Sequence, residues 1–206
     1  MEVPIYDRIR RMEPSLATLL ILTVGAIAAV GLIAVITAPS AVLVGDSQWE
    51  IISAFHGLGA TVFLLGATIA VYLSWRLYTG QLSAFKDLKW LTAFSSVMSA
   101  VTIGFGNWIY IGYRLKSPTG DIYPREFFLG SLPAIHEIFF EFKEFIALFT
   151  LPLMVAATFL LWKYGAGLVK NKELRAVVSV PMLLGWVFLI LAYTLGAAIT
   201  KLKGVP

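Results

Sequence analysis

Apolar residues in this chain fall in long unbroken stretches, not in the alternating or three-and-four spacing of soluble elements. Crossing about 30 Å of hydrocarbon takes about 20 helical residues. Five stretches qualify: residues 16–38, 51–74, 91–113, 133–162 and 176–200. The first carries no charge and is bounded by Pro14 and Pro39. Its length exceeds the roughly 7–15 residues of a signal-peptide core, so it reads as a retained helix. The fourth is apolar over 145–162 and opens with a more polar helical stretch. The pattern predicts an all-α integral membrane bundle of five transmembrane helices forming one domain over 1–206. The longest connection, 114–132, contains the turn formers Ser117-Pro118-Thr119-Gly120 and Tyr123-Pro124-Arg125. It suits a lid, a docking surface or a plain connector. No internal repeat marks an inverted-repeat transporter.

Composition agrees and narrows the function classes. Hydrophobic residues make up 59% of the chain and charged residues 14%, whereas soluble domains have about 25% charged residues. A water-soluble globule is excluded. Cysteine is absent, which removes disulfides, thiolate metal sites, iron–sulfur clusters and cysteine nucleophiles together. There is no phosphate loop, nucleophile elbow or His-Glu-x-x-His. Nothing points to nucleic acid. The scarcity of amides (Asn107, Asn171, Gln48 and Gln81 are the full set) fits a thermophilic source and equally fits membrane spans in general.

Of the 16 Lys and Arg residues, ten lie in or beside loops on the N-terminal side, here side A. Five lie on the opposite side B: Arg114, Lys116, Arg125, Lys201 and Lys203. Short loops obey the positive-inside rule, so side A is expected to be cytoplasmic, with the N-terminus inside and the C-terminus outside a cell membrane. Trp49, Trp75, Trp90, Trp108 and Trp162 fall at expected span ends, the preferred place of amphipathic rings; Trp186 alone is mid-span.

Chemistry must come from the few polar residues inside the second, third and fourth spans, because ionisable groups at membrane depth are costly. They are His56, Asn107, His136, Glu137, Glu141, Lys143 and Glu144. His56, Gly59, Phe63, Gly66 and Ala70 follow at three- and four-residue steps and share one helix face. The two glycines leave a trough that suits either a closely packed helix or a flat macrocycle below the imidazole. On an ideal wheel, Glu137, Glu141 and Glu144 fall on one side, beside a face of His136, Phe140, Lys143 and Ala147. Clustered carboxylates require a neutralising partner: Lys143, Arg114, Arg125, a metal or shared protons. At 1.5 Å per residue, His56 lies about 28 Å from the level of Trp75, while Glu144 lies about 27 Å and His136 about 39 Å from Trp162. Both histidines belong to the side B half, and Glu144 and Glu141 are at least as well placed as His136 to meet His56.

The segments HGLGATVFLLGATIAVYLSWRL and LPAIHEIFFEFKEFIALFTLPL resemble helices of membrane b-type cytochromes, in particular the bacterial cytochrome b561-like group. The resemblance implies one haem b between the second and fourth spans, with His56 and His136 as axial ligands. It implies electron transfer to or from a quinone, alone or with partner subunits of a respiratory complex. Lys143, Arg114 or Arg125 would neutralise the haem propionates, and Gly59 and Gly66 would cradle the ring. The chain departs from that group in having two histidines in all and a first span without a counterpart. Two other readings stand beside this one. In the first, His56 with Glu137, Glu141 and Glu144 forms a non-haem metal or proton site, His136 being a further candidate ligand. In the second, the chain is a cofactor-free accessory or anchor subunit whose Glu-Lys-Glu cluster fixes helix register.

Overall fold

A computed structural model describes residues 48–115 and 123–204, and all its regular elements are helical. The long helices are α1 (Gln48–Tyr78), α2 (Phe85–Arg114), α4 (Glu141–Lys170) and α5 (Lys172–Leu202). A short α3 (Pro124–Ser131) and a π-helical segment (Ile135–Phe140) lie between α2 and α4. Four helical segments, Gln48–Tyr78, Leu82–Arg114, Ile135–Gly165 and Lys172–Leu202, are long and apolar enough to cross a membrane. They correspond to the expected second to fifth spans, each helix running past its apolar stretch into end residues such as Arg76 and Arg114. The expected first span, 16–38, lies outside the described residues.

Short connections set α1 against α2 and α4 against α5 as antiparallel pairs. α1 packs on α2, α2 on α4, α4 on α5, and α5 returns to α1, closing a four-helix ring. The α1–α2 turn is made by Gly80, whose φ of 96° is open to glycine at little cost. α4 and α5 are separated by Asn171, whose Oδ1 accepts from the backbone N–H groups of Glu173 and Leu174 and so caps α5.

Close helix contact is built on small residues. A Cβ on Gly112 would lie 2.5 Å from the Trp49 ring, and one on Gly165 would lie 2.6 Å from Phe85 Cζ. Gly59 is used the same way: its Cβ position faces Thr102 Oγ1 and Met98 Cε of α2 at 3.6 and 4.0 Å. Inter-helix hydroxyl pairs, Ser99–Thr150 at 2.7 Å and Ser96–Thr158 at 2.9 Å, join α2 to α4. The mid-span Trp186 donates its indole N–H to Thr68 Oγ1 at 2.9 Å, which satisfies its polar atom on the outer surface of the bundle.

Two apolar clusters form the interior. The larger runs from Ala84 and Leu88 through Ala67, Met154 and Met182 to Phe63 and Leu189. The smaller, at side B, is aromatic: Tyr113, Phe128, Phe140 and their neighbours with Ile199. Between them the packing opens.

Candidate functional site

The opening is a cavity of about 530 Å³, lined on its side A floor by Phe63 and Leu189 and at side B by Tyr113, Phe140 and Ile199. That is within the common size range of small-molecule and cofactor sites, about 300–1,000 Å³. All four long helices contribute to its wall. The polar lining brings together His56 and Thr61 of α1, Asn107 and Tyr110 of α2, Lys143 and Glu144 of α4, and Tyr193 of α5.

His56 is held by two features of α2. Its Nδ1–H donates to the backbone carbonyl of Thr102 at 3.0 Å. Gly106 makes room for the ring, since a Cβ there would stand 3.1 Å from His56 Cε1. With Nδ1 committed as a donor, the neutral ring keeps its lone pair on Nε2. A ligating histidine is usually fixed in this way, its second nitrogen donating to a carbonyl or carboxylate.

Lys143 lies beside the cavity with its Cε 3.5 Å from the position a Gly196 Cβ would take, so Gly196 provides the space for this side chain. Its ammonium acts electrostatically on both His56 and Glu144. Lys201 and Lys203 also line the cavity, at the side B end of α5.

His136 does not line this cavity. It is 5% exposed and sits behind the cavity wall, where Nδ1 and Tyr113 Oη share a hydrogen bond of 2.9 Å. Its ring leans on Tyr113 and Phe140, with centroids 5.8 and 5.7 Å away. Along α2, Tyr113 lies 11 residues beyond Thr102, or about 16 Å, so the two imidazoles are anchored at different heights. The two imidazoles therefore do not line the same cavity.

The remaining expected site residues divide. Glu144 lines the cavity with His56, as the depth arithmetic anticipated, whereas Glu137 and Glu141 are exposed and do not line it. The single carboxylate face is therefore corrected. The wheel assumed an ideal α-helix, but the π-helical Ile135–Phe140 makes i→i+5 bonds and turns through a smaller angle per residue, which moves Glu137 off the line of Glu144. Among the described residues no group of three His, Asp or Glu side chains is gathered to hold a metal ion. Gly59 and Gly66 do not line the cavity; Gly59 faces α2, and Gly66 is buried. Arg114 is exposed, stacked 4.0 Å over the Tyr110 ring and bonded to its Oη, and Arg125 is exposed on α3; neither lines the cavity.

Sequence reasoning missed Gly106, Tyr110, Tyr113, Tyr193, Lys201 and Lys203. A polar residue one or two turns from a helix end looks interfacial until the packing shows that it faces inward. For Gly106 there was a signal: it belongs to the run Gly104-Phe105-Gly106-Asn107 in the middle of a span.

No family model matches this chain, and no curated protein or solved structure matches it.

A haem with one protein imidazole fits these residues better than a haem with two. His56 lines a cavity of suitable size, and Lys143, Lys201 and Lys203 in the same lining are cations of the kind that would pair with propionates. His136 offers nothing to the cavity.

Proposed function

We propose that this chain is a membrane-embedded b-type cytochrome or haem-bearing subunit that moves electrons, with His56 as the axial protein ligand. The observation that carries this reading is the hydrogen bond from His56 Nδ1–H to Thr102 O, which orients the ring and leaves Nε2 for a ligand. A haem held there supplies reversible one-electron chemistry. Thr102 and Gly106 fix the imidazole, Phe63 and Leu189 close the cavity floor against water, and Lys143, Lys201 and Lys203 balance carboxylate charge. Side A faces the cytoplasm in this reading, so the site is nearer the outer surface, where a quinone or a partner subunit exchanges electrons with it.

A second reading has one favourable observation of its own. His56, Lys143 and Glu144 share a cavity with the paired hydroxyls of Thr61 and Tyr193, which suits hydrogen bonding to the head of a quinone with no haem present. The two readings separate in one experiment. The protein purified in mild detergent is reduced with dithionite, and its difference spectrum is recorded with a haem assay. The first reading expects about one haem per chain with a b-type α-band; the absence of any haem band sinks it. The second expects no such band and a quinone in the organic extract.

A further inference from the structure

Tyr113 belongs to two environments. Its ring lines the cavity, yet its Oη bonds His136 Nδ1 behind the wall. The ring is stacked on Phe140 at 4.3 Å and 12°, and also on Phe128, so the phenol has little freedom to turn away. His136 is held there by the π-helical segment, and the proposed ligation makes no use of it. Single-turn π segments are often found at functional sites. His136 is buried, with 5% of the residue exposed, and its chain neighbour Glu137 is exposed.

An electron added inside a cavity of low dielectric raises the proton affinity of any base nearby. Imidazole is the side chain whose ordinary titration falls between about pH 5 and 8. We infer that the Tyr113–His136 pair is a redox-linked proton site, in which His136 takes up one proton when one electron enters the cavity cofactor. This inference rests on the haem reading above. The balance is simple: the cofactor gains one electron from a one-electron donor, and a ring nitrogen of His136 gains one proton, leaving hydroxide or buffer base outside. Tyr113 is the connection, its hydroxyl carrying the polarity of the cavity to the imidazole by one hydrogen bond.

The elements packed around the pair carry other charged and titratable groups. α2 contributes Tyr110 and Arg114, and α3 contributes Arg125 and Glu126. Glu137 lies in the π-helical segment itself, Glu141 and Glu144 come from α4, and Lys201 and Lys203 come from the end of α5. Tyr110, Arg125, Glu141 and Glu144 act electrostatically on Tyr113. Glu144 and Lys143 line the cavity directly, which makes Glu144 the competing proton acceptor.

The test is a redox titration of the purified holoprotein from pH 5 to 9, followed at the haem band. The wild type is expected to show a midpoint potential falling by about 59 mV per pH unit over part of that range, the one-electron equivalent of a tenfold change. His136→Gln is expected to bind haem with an unchanged spectrum and to lose that slope, while Glu144→Gln keeps it. Tyr113→Phe preserves the stacked ring and is expected to move the inflection, so the pair stays testable if His136→Gln folds poorly. A flat potential in the wild type, a wild-type slope in His136→Gln, or loss of the slope in Glu144→Gln alone overturns the inference while leaving the haem reading intact. No haem band in the wild type overturns the haem reading itself. With only two histidines in the chain, ¹⁵N-histidine labelling gives an independent view of the pair. One imidazole signal is expected to change in Tyr113→Phe and the other to stay; two unchanged signals contradict the hydrogen bond.

Discussion

Gly106 shows what a single hydrogen atom does in this bundle. Its missing side chain lets the His56 ring lie against α2, where a Cβ would come within 3.1 Å of Cε1. Gly106→Val is therefore expected to tilt the imidazole and break its bond to Thr102 O. Haem content should fall several-fold, since losing the group that orients a ligand costs about 10–100-fold in affinity. Gly104→Ala is the matched control: nothing lies within 4 Å of its Cβ position, so the haem-to-protein ratio should not change. Equal losses in the two variants would show that α2 is sensitive to any added bulk and that Gly106 has no special part. His56 was legible as a candidate in the chain because an imidazole inside a span is rare. Its tautomer was not, because the partner is a backbone carbonyl 46 residues away.

Elements turn on where helices start, stop and change pitch. The four described spans were readable from apolar length alone, because lipid leaves the backbone no partners and so favours regular helix. Which faces meet was harder. The face of His56, Phe63 and Ala70 was found because α1 keeps an ideal period, and Phe63 and Ala70 are indeed buried. The faces at the start of the fourth span were harder to read because the π-helical Ile135–Phe140 breaks that period, and no hydropathy pattern announces it. His136 and Glu137 both lie in that stretch, so the placement of each had to come from the fold.

Two contacts between elements give stability predictions. Gly112→Ala drives a methyl to 2.5 Å from the Trp49 ring, so the start of α1 must shift. The expected cost is about 1–3 kcal/mol, as for other overpacked sites. Asn171→Ala removes the cap of α5, where Oδ1 accepts two backbone N–H groups, at an expected cost of about 1 kcal/mol. Unfolding in detergent followed by circular dichroism measures both. A Gly112→Ala protein as stable as wild type would mean that Trp49 does not pack on α2 in solution.

At the scale of the whole molecule, charge and aromatic placement give the bundle a direction. Near side A, Trp90 meets Trp162 edge-on at 5.5 Å, and the Lys89 ammonium sits 3.8 Å above the Trp162 ring. Such groups suit a membrane–water interface. Cysteine is absent from the chain, so single cysteines report topology cleanly. In intact cells, a membrane-impermeant maleimide is expected to label Gly204→Cys and to leave Thr79→Cys unlabelled until the membrane is opened. The reverse pattern would invert the orientation and place the cavity toward the cytoplasm.

That cavity lies between an aliphatic core and an aromatic cap, with one histidine beside it and the other behind its wall. The haem-to-protein ratio of two single variants tests that asymmetry most directly. His56→Ala is predicted to lose at least nine-tenths of the haem, and His136→Gln to retain it with the wild-type absorption spectrum. Full haem in His56→Ala, or equal loss from both variants, would contradict it.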